Sequence, residues 1–162
     1  MNNLRSLVAR SAQRFPDNPA LLAPGRRPVT YDGLLVQVEQ LVAALQCHGI
    51  GPSTRVAVVL PNGPEMAVAC LAVAACASCA PLNPGYQEAE FRFYLQDTGA
   101  RFLLLHRDDQ GPARAAAQAL GVTLLQIDTD LARPAGWFTL PAPSLANGTA
   151  PAAAAQPAPD DV

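Results

Sequence analysis

The stretch RVAVVLPNGPEMAVACLAVAACASCAPLNPGYQEAEFRFYLQD, residues 55–97, decides the fold of this chain. Residues 55–60 are a short apolar run rich in valine, typical of a strand that is buried on both faces. Pro61–Pro64 ends that strand, because proline lacks the N–H that a sheet requires. Residues 65–77 are rich in alanine and apolar on nearly all sides, which predicts a helix that is almost fully buried.

The second half of the stretch repeats the alternation of strand and helix. Residues 79–82 predict a short extended segment, and Asn83–Gly85 predict a loop. Residues 88–96 predict an amphipathic helix with Phe91, Tyr94 and Leu95 on one side. Strand–helix–strand–helix order is typical of a parallel sheet covered by helices, so the sequence predicts a layered α/β fold.

The residues before this stretch predict two helices and a hairpin. Residues 4–15 predict a helix with Asn2 or Asn3 as N-cap and Leu4, Leu7, Val8 and Phe15 as its apolar residues. Pro24-Gly25 separates two short extended runs that predict a hairpin. Thr30 is the predicted N-cap, and Gly49 the C′ residue, of a helix whose apolar stripe is Leu34, Leu35, Val38, Leu41, Val42 and Leu45.

The residues after the stretch continue the alternation and then lose it. Residues 101–105 and 122–127 predict strands, and residues 111–120 predict a helix. From Asp128 onward we expect order to fade. Residues 1–138 are therefore predicted to form an α/β domain, and residues 139–162 a linker or tail rich in proline and alanine. Trp137-Phe138 is expected to dock this tail onto the domain.

Composition and charge exclude several classes of partner. The chain has 11 basic and 13 acidic residues, so neither nucleic acid nor a membrane surface is indicated as a partner. All basic residues are arginine, which excludes a Schiff-base or phosphate-binding lysine within these residues. The longest apolar run is shorter than the roughly 20 residues that a membrane span requires.

The first residues do not fit a secretory signal. Arg5, Arg10 and Arg14 are followed by no apolar h-region. An amphipathic start with arginines is also a feature of mitochondrial presequences, but the cytoplasm is the expected compartment.

The cysteines and histidines have simple structural interpretations. Cys76 and Cys79 have the spacing of a redox motif, but no second pair accompanies them to hold zinc. Together with the isolated Cys47 and Cys70, they are expected to be buried free thiols. His48 is expected to cap a helix or to face solvent. His106 ends a strand and is followed by Arg107-Asp108-Asp109, so it is expected to be a loop residue rather than a catalytic one.

Two further groups of polar residues could belong to a functional site, but a structural role explains each of them better. Asp108-Asp109 are adjacent carboxylates that diverge, which is typical of a solvated turn rather than a metal site. Asn83 and Tyr86 follow a strand, where α/β proteins place ligands. A loop between two prolines needs such residues for its own turn, so we favour structure over substrate contact.

Several segments of the sequence are similar to those of a known enzyme superfamily. Four segments resemble the adenylate-forming (AMP-binding) superfamily of acyl-CoA synthetases, luciferases and peptide-synthetase adenylation domains. They are Val29–Leu34, Arg55–Ala57 with Pro61-Asn62, Ala80–Pro84 with Tyr86, and Glu90–Asp97 with Gly99–Arg101. The Pro-Leu-Asn-Pro segment is more similar to the acyl-CoA synthetase branch, and Phe91–Asp97 is similar to oxalate–CoA ligases. Gly33, Ala74 and Cys76 depart from the usual family residues, which indicates a divergent member.

The resemblance implies an enzyme that converts a carboxylic acid to an acyl-adenylate with ATP and Mg²⁺ and then transfers it to coenzyme A. It also implies that the lysines and the phosphate loop lie further along the polypeptide. Residues 159–162 look like the start of the strand that precedes this loop. We therefore expect an incomplete large domain that binds no cofactor tightly, whose partner is the rest of the same polypeptide. No catalytic, cofactor-binding or metal-binding residue is assigned within residues 1–162.

The alternative is a freestanding, non-catalytic α/β module for binding or interaction. A dinucleotide site is disfavoured in either case, because the loop after the first strong strand is Pro61–Pro64 rather than Gly-x-Gly-x-x-Gly. Two prolines in that loop remove N–H groups that a phosphate would need.

Overall fold

The computed structural model describes residues 4–143 of the 162-residue chain. The helices in this part are α1 (Leu4–Arg14), α2 (Tyr31–Cys47), α3 (Pro64–Ala74), α4 (Glu88–Thr98) and α5 (Pro112–Leu120). The strands are β1 (Pro19–Leu21), β2 (Val29–Thr30), β3 (Arg55–Val58), β4 (Ser78–Pro81), β5 (Phe102–His106), β6 (Thr123–Thr129) and β7 (Phe138–Thr139). The predicted N-cap at Asn2 or Asn3, and residues 144–162 of the predicted tail, lie outside the described residues.

The central sheet has the predicted parallel order. Its strands run β4-β3-β5-β6-β7, and neighbouring strands among the first four are parallel. Strand β7 pairs antiparallel with β6 at one edge. Strands β1 and β2 form the predicted antiparallel hairpin as a separate sheet. The α/β interpretation of the central stretch is therefore confirmed.

Helices cover both faces of the sheet. Val56 and Val58 point to a core that includes residues of α1, α2 and α3, while Ala57 and Val59 point to a second core with α4 and α5. The four residues have at most 3% of their surface exposed, as expected for strands inside a parallel sheet. The molecule is a three-layer arrangement of helices, sheet and helices.

Helix α2 has the predicted ends and nearly the predicted stripe. The Thr30 hydroxyl accepts a hydrogen bond of 3.2 Å from the Gly33 amide, and Gly49 follows the helix with a φ of 75°. Leu35 is only half-buried, whereas Gln37 is buried. The Gln37 amide donates to the Phe138 carbonyl at 2.7 Å, so this polar side chain is satisfied inside the core.

Two predictions of burial require correction. Helix α3 ends at Ala74, and its outer residues Met66, Ala67, Cys70 and Leu71 are half-buried rather than fully buried, because α1 and α2 cover only part of its surface. In α1, the residues that are buried are Val8 and Ala12. Its other predicted apolar residues are 41–51% exposed, because α1 lies at the surface and only one narrow side contacts the core; they are Leu4, Leu7 and Phe15.

The expectation that order fades from Asp128 is wrong. Strand β7 pairs with the free edge of β6, and Phe138 and Leu140 are buried. The Ala135 amide donates to the Arg27 carbonyl at 2.9 Å, which ties the segment before β7 to the hairpin. Edge pairing and burial of a few apolar residues order this segment despite its many small residues. The docking of Phe138 is confirmed, and Trp137 beside it is half-buried.

Candidate functional site

The carboxyl ends of the parallel strands form the edge where α/β proteins place ligands. After β3, the exposed loop of Pro61, Asn62 and Gly63 leads into α3. Glu65 lies in the first turn of α3 and forms an ion pair with Arg26 of the hairpin. Both side chains are at most 15% exposed, so the positive end of the α3 dipole already has a carboxylate within the chain.

The loop after β4 is shaped by its own polar residues. The Asn83 side-chain oxygen accepts a hydrogen bond of 2.9 Å from the Gly85 amide, which is an Asx turn. The Tyr86 ring stacks on Tyr94 at 5.1 Å between ring centroids and meets Phe91 edge-on at 5.8 Å. A hydrogen bond with Tyr94 raises the pKa of Tyr86. The structural role expected for Asn83 is confirmed, and Tyr86 packs against α4.

The loop after β5 is held by one arginine. The Arg114 guanidinium donates to the carbonyls of Arg107 and Asp109. The Asp109 carboxylate accepts from the Gly111 amide at 2.7 Å, which confirms the predicted turn. His106 ends a strand, as the sequence predicted, but it belongs to the strand and not to the loop that follows. It is the last residue of β5, because the pairing with β6 extends to it.

His48 has a partner that its sequence position did not reveal. Its Nε2 lies 2.9 Å from the Pro141 carbonyl oxygen, at a distance of 93 residues along the chain. The ring therefore contacts the segment after β7 in addition to ending α2. It lies beside a cleft of about 450 Å³ that Arg107, Gln126 and Leu140 also line.

The cysteines differ from one another more than expected. Cys76 is buried and donates weakly to the Ala72 carbonyl, and burial raises its pKa to about 11. Cys47 is exposed, which corrects its predicted burial and follows from its place on the outer side of the last turn of α2. Cys70 and Cys79 are half-buried rather than buried, and the Cys70 thiol lies 4.0 Å from the Met66 sulfur on the same helix.

A shallow cleft of about 320 Å³ lies at the opposite, amino-terminal end of β3 and β4. Arg55, Ser78, Cys79 and Asp97 are among its lining residues. The Arg55 guanidinium also donates to the Thr98 carbonyl at 3.2 Å. This cleft carries one cation, one carboxylate and one thiol, but it is remote from the edge where parallel sheets bind nucleotides.

Comparison with known proteins now assigns the family. The family model described as AMP-binding enzyme matches residues 8–162. The chain belongs to this family. It is 36% identical over 137 residues to the oxalate–CoA ligase of Arabidopsis thaliana, a match that covers 80% of this chain and 27% of the ligase. It is 38% identical over 109 residues to phosphinothricin tripeptide synthetase of Streptomyces viridochromogenes, covering 65% of this chain and 9% of the synthetase.

Solved structures agree with the AMP-binding assignment. A putative long-chain-fatty-acid CoA ligase from Rhodopseudomonas palustris superposes with a TM-score of 0.70 and 25% identity. The match covers 82% of this chain and 35% of that structure. The described residues therefore have the fold of part of an acyl-CoA synthetase. The chain spans about a quarter or less of the length of the curated relatives named above.

The described residues do not fit the ATP and Mg²⁺ that the AMP-binding family implies. A triphosphate needs several N–H donors and cations, whereas the loop after β3 carries Pro61 and Pro64, and Arg26 is already paired with Glu65. Within residues 4–143, no group of three or more His, Cys, Asp or Glu side chains is placed to hold a metal ion. No helix in this part of the chain combines the length and hydropathy needed to cross a bilayer.

Two features of the AMP-binding chain were missed at the level of sequence. The partly buried Arg26–Glu65 pair joins the hairpin to α3, and Arg26 also donates to the Pro134 carbonyl at 2.8 Å. The sequence showed only an arginine near the Pro24-Gly25 turn, and an arginine in a turn normally faces solvent. Its pairing with Glu65 was therefore not predicted. The contact of His48 with the Pro141 carbonyl was missed because the two residues lie far apart in the sequence, and only the three-dimensional path of the chain brings them together.

Proposed function

We propose that the 162 residues form part of the large domain of an ATP-dependent, AMP-forming acid–CoA ligase. Such an enzyme joins a carboxylic acid to AMP with release of pyrophosphate and then transfers the acyl group to coenzyme A. The observation that supports this most is the match to a named oxalate–CoA ligase across 80% of the chain. Structural similarity to a fatty-acid CoA ligase at a TM-score of 0.70 supports it independently.

In this proposal the described residues support the fold and do not take part in the reaction. The polar groups at the carboxyl edge of the sheet hold their own loops, as Asn83 does for Gly85 and Arg114 for Asp109. The sequence contains no lysine, so no lysine within these residues neutralises the charge of a phosphoryl or adenylyl transfer. ATP, Mg²⁺, coenzyme A and a small carboxylic acid are the proposed ligands of the whole enzyme. Its remaining groups are proposed to come from the same polypeptide, and the cytoplasm is the proposed compartment.

The acid to be activated is a second part of the proposal. The similarity to an oxalate–CoA ligase favours a small, polar acid. Relatives that include a tripeptide synthetase make an amino acid the competing class. The share of the chain that is matched favours a small, polar acid. The match to the oxalate–CoA ligase covers 80% of the chain, whereas the match to the synthetase covers 65%.

The test uses the polypeptide encoded by the whole reading frame around these residues. Pyrophosphate release is measured with ATP and a panel of acids that includes oxalate, long-chain fatty acids and amino acids, and thioester formation is measured with coenzyme A. The proposal predicts acid-dependent pyrophosphate release followed by an acyl-CoA product. Release with an amino acid and no CoA thioester would identify a peptide-synthetase adenylation domain. A reading frame with neither activity would favour the freestanding module.

A further inference from the structure

The segment that follows β6 is fastened to the domain mainly by side chains. Residues 132–141, here named the strap, contribute only β7 to the sheet. Five of the strap's backbone carbonyls accept hydrogen bonds of 2.7–3.3 Å from side chains of the hairpin and α2. The donors are Arg26, Arg27, Gln37 and His48, and the accepting carbonyls are those of Ala132, Arg133, Pro134, Phe138 and Pro141.

Arg26 lies where the hairpin, α3 and the strap meet. Its guanidinium pairs with the Glu65 carboxylate in the first turn of α3. It also donates to the carbonyls of Arg133 at 3.3 Å and Pro134 at 2.8 Å. The Arg26 side chain is only 10% exposed, so salt screens these interactions weakly. One side chain therefore fastens the strap to two other elements.

The fastened arrangement is incompletely satisfied. The Arg26 Nε–H is buried and has no hydrogen-bond partner among the described residues. A buried donor without a partner raises the free energy of the closed arrangement, and water satisfies this donor once the strap moves away. The strap's own buried side chains are few, namely Ala135, Phe138 and Leu140. The closed strap is therefore favoured by a small number of contacts.

The strap covers an apolar groove between α2, α3 and β5. Phe138 and Leu140 lie over this groove and are 2% and 8% exposed. Leu41, Leu45, Ala69, Ala72, Val73 and Leu104 line it. The parallel strands β4, β3, β5 and β6 pair with one another and not through the strap. Displacement of the strap therefore uncovers the groove and leaves the parallel pairing intact.

We propose that residues 132–141 form a strap that opens as one unit, and that Arg26 is the clasp that holds it closed over the apolar groove. Opening breaks the hydrogen bonds from Arg26 to the strap and takes Phe138 and Leu140 out of the groove. Arg26 acts through the strap backbone, so it is a positioning residue. The device is independent of the ligase function proposed above.

The single tryptophan of the 162-residue chain reports on the strap. Trp137 is half-buried, and the Arg133 guanidinium lies 4.6 Å from its ring centroid. In Arg26→Met, we expect the Trp137 emission to shift to longer wavelength and acrylamide to quench it more efficiently. Unchanged emission and quenching would show that Arg26 does not hold the strap, which would overturn the proposal.

Hydrogen exchange distinguishes opening of the strap from global unfolding. The Ala135 amide donates to the Arg27 carbonyl at 2.9 Å, a bond that Arg26→Met does not remove directly. If the strap opens as one unit, this amide should nevertheless exchange about 10- to 100-fold faster in Arg26→Met. The amides of β5 should exchange at their native rates. An equal acceleration in β5 would show that the strap opens only with the whole domain.

Further variants separate the clasp from the effect of an unpaired carboxylate. Arg26→Met leaves Glu65, whose side chain is 15% exposed, without its cation. The double variant Arg26→Met/Glu65→Met removes that charge as well, and its strap should remain open. In Glu65→Gln, Arg26 keeps its carbonyl partners, so the strap should remain closed. A closed strap in the double variant, or an open one in Glu65→Gln, would contradict the role of Arg26.

A conservative and a remote substitution complete the series. Arg26→Lys keeps the charge for Glu65 but lacks the forked donors that reach two carbonyls, so acrylamide quenching should be intermediate. It also carries the test if Arg26→Met does not fold, and native quenching in Arg26→Lys would then count against the clasp. Arg92→Met is the matched control, because Arg92 pairs with Glu88 at the surface of α4. Its strap should behave as in the native chain, and an open strap in Arg92→Met would show that the effect is not specific to Arg26.

Binding of an apolar fluorescent dye such as anilinonaphthalene sulfonate tests the groove itself. Arg26→Met should bind the dye while it retains the native far-ultraviolet circular dichroism. The native chain and Arg92→Met should bind less. Release of Trp137 without dye binding would show that Phe138 and Leu140 stay in the groove, which contradicts opening as one unit.

Discussion

Helices α3 and α4 follow one another in the same sheet, yet they are held in place by different means. Helix α3 connects β3 to β4 and exposes none of its residues fully, but it has no side-chain cap. Helix α4 connects β4 to β5, buries only Phe91 and Leu95, and begins with a capping box formed by Gln87 and Glu90. An i,i+4 ion pair of 2.6 Å between Arg92 and Glu88 adds local support.

The contrast shows which parts of the chain depend on tertiary structure. Helix α4 carries its own start signal and a polar outer surface, so it needs only one apolar side against the sheet. Helix α3 depends on α1, α2 and the segment before β7 for cover, because nearly every residue it carries is apolar. Substitutions in the two helices should therefore have different consequences.

The largest effect is expected at the centre of α3. Ala69 is 1% exposed, so Ala69→Arg places an unpaired charge in the core at a cost of several kcal/mol. That cost approaches the whole stability of an ordinary domain, about 5–15 kcal/mol, and soluble folded protein should be lost. Ala43→Arg is the matched control, because Ala43 lies exposed in the middle of α2. Circular dichroism and melting temperature of both variants check this, and an unchanged melting point for Ala69→Arg would show that α3 is not interior.

The next largest effect distinguishes the two sides of α4. Phe91 is fully buried, whereas Phe93 two residues later is 59% exposed. Phe91→Ala should lower the free energy of unfolding by about 3–5 kcal/mol, because it leaves a cavity between α4 and the sheet. Phe93→Ala should cost less than about 1 kcal/mol. Urea unfolding of the two variants measures the difference, and equal losses would mean that α4 is not amphipathic in the folded state.

A smaller effect is expected where the chain crosses the start of α3. Gly136 has a φ of 80°, and a Cβ there would lie 2.7 Å from the Val68 side chain and 3.1 Å from the Pro64 carbonyl. Gly136→Ala should therefore destabilise by about 2–4 kcal/mol, combining overpacking with backbone strain. Gly25→Ala is the control, since Gly25 has a φ of 69° with open space around it and should cost only about 1–2 kcal/mol. Equal melting points for the two variants would contradict the close packing at α3.

The smallest effect is expected for the capping hydrogen bond at the start of α4. The Glu90 carboxylate accepts a hydrogen bond of 2.8 Å from the Gln87 amide. Glu90→Ala removes that bond and should cost about 1 kcal/mol, while Glu90→Gln should retain most of it. Differential scanning calorimetry resolves such a shift in a domain of this size. If Glu90→Gln destabilised the domain as much as Glu90→Ala, the charge of Glu90 rather than its hydrogen bond to the Gln87 amide would stabilise α4.

The same contrast explains which features the sequence predicted. The bounds of β3, β4 and α4 were predicted within a few residues, because they depend on residues that are close in the sequence. These are a valine-rich run for β3, prolines for β4 and an amphipathic pattern for α4. Strand β7 depends on the free edge of β6, which no residue near Phe138 reveals. Its order was therefore predicted wrongly, although the docking of Phe138 was expected from its size.

The candidate site shows the same division. The turns at Asn83 and Asp109 were predicted because an Asx turn involves residues only two apart. The contact of His48 with the Pro141 carbonyl, in contrast, joins residues that are 93 positions apart. The four cysteines were expected to be buried free thiols, and only Cys76, which faces the core, is buried.

The central proposal is that residues 4–143 form a scaffold of the AMP-binding fold and that the chain does not hold the nucleotide by itself. Isothermal titration calorimetry of the 162-residue chain with ATP and Mg²⁺ tests it most directly, with pyrophosphate release measured in parallel on oxalate and other acids. The proposal predicts no saturable heat up to millimolar ATP and no acid-dependent pyrophosphate. Saturable binding at micromolar ATP, or any acid-dependent release of pyrophosphate, would contradict it.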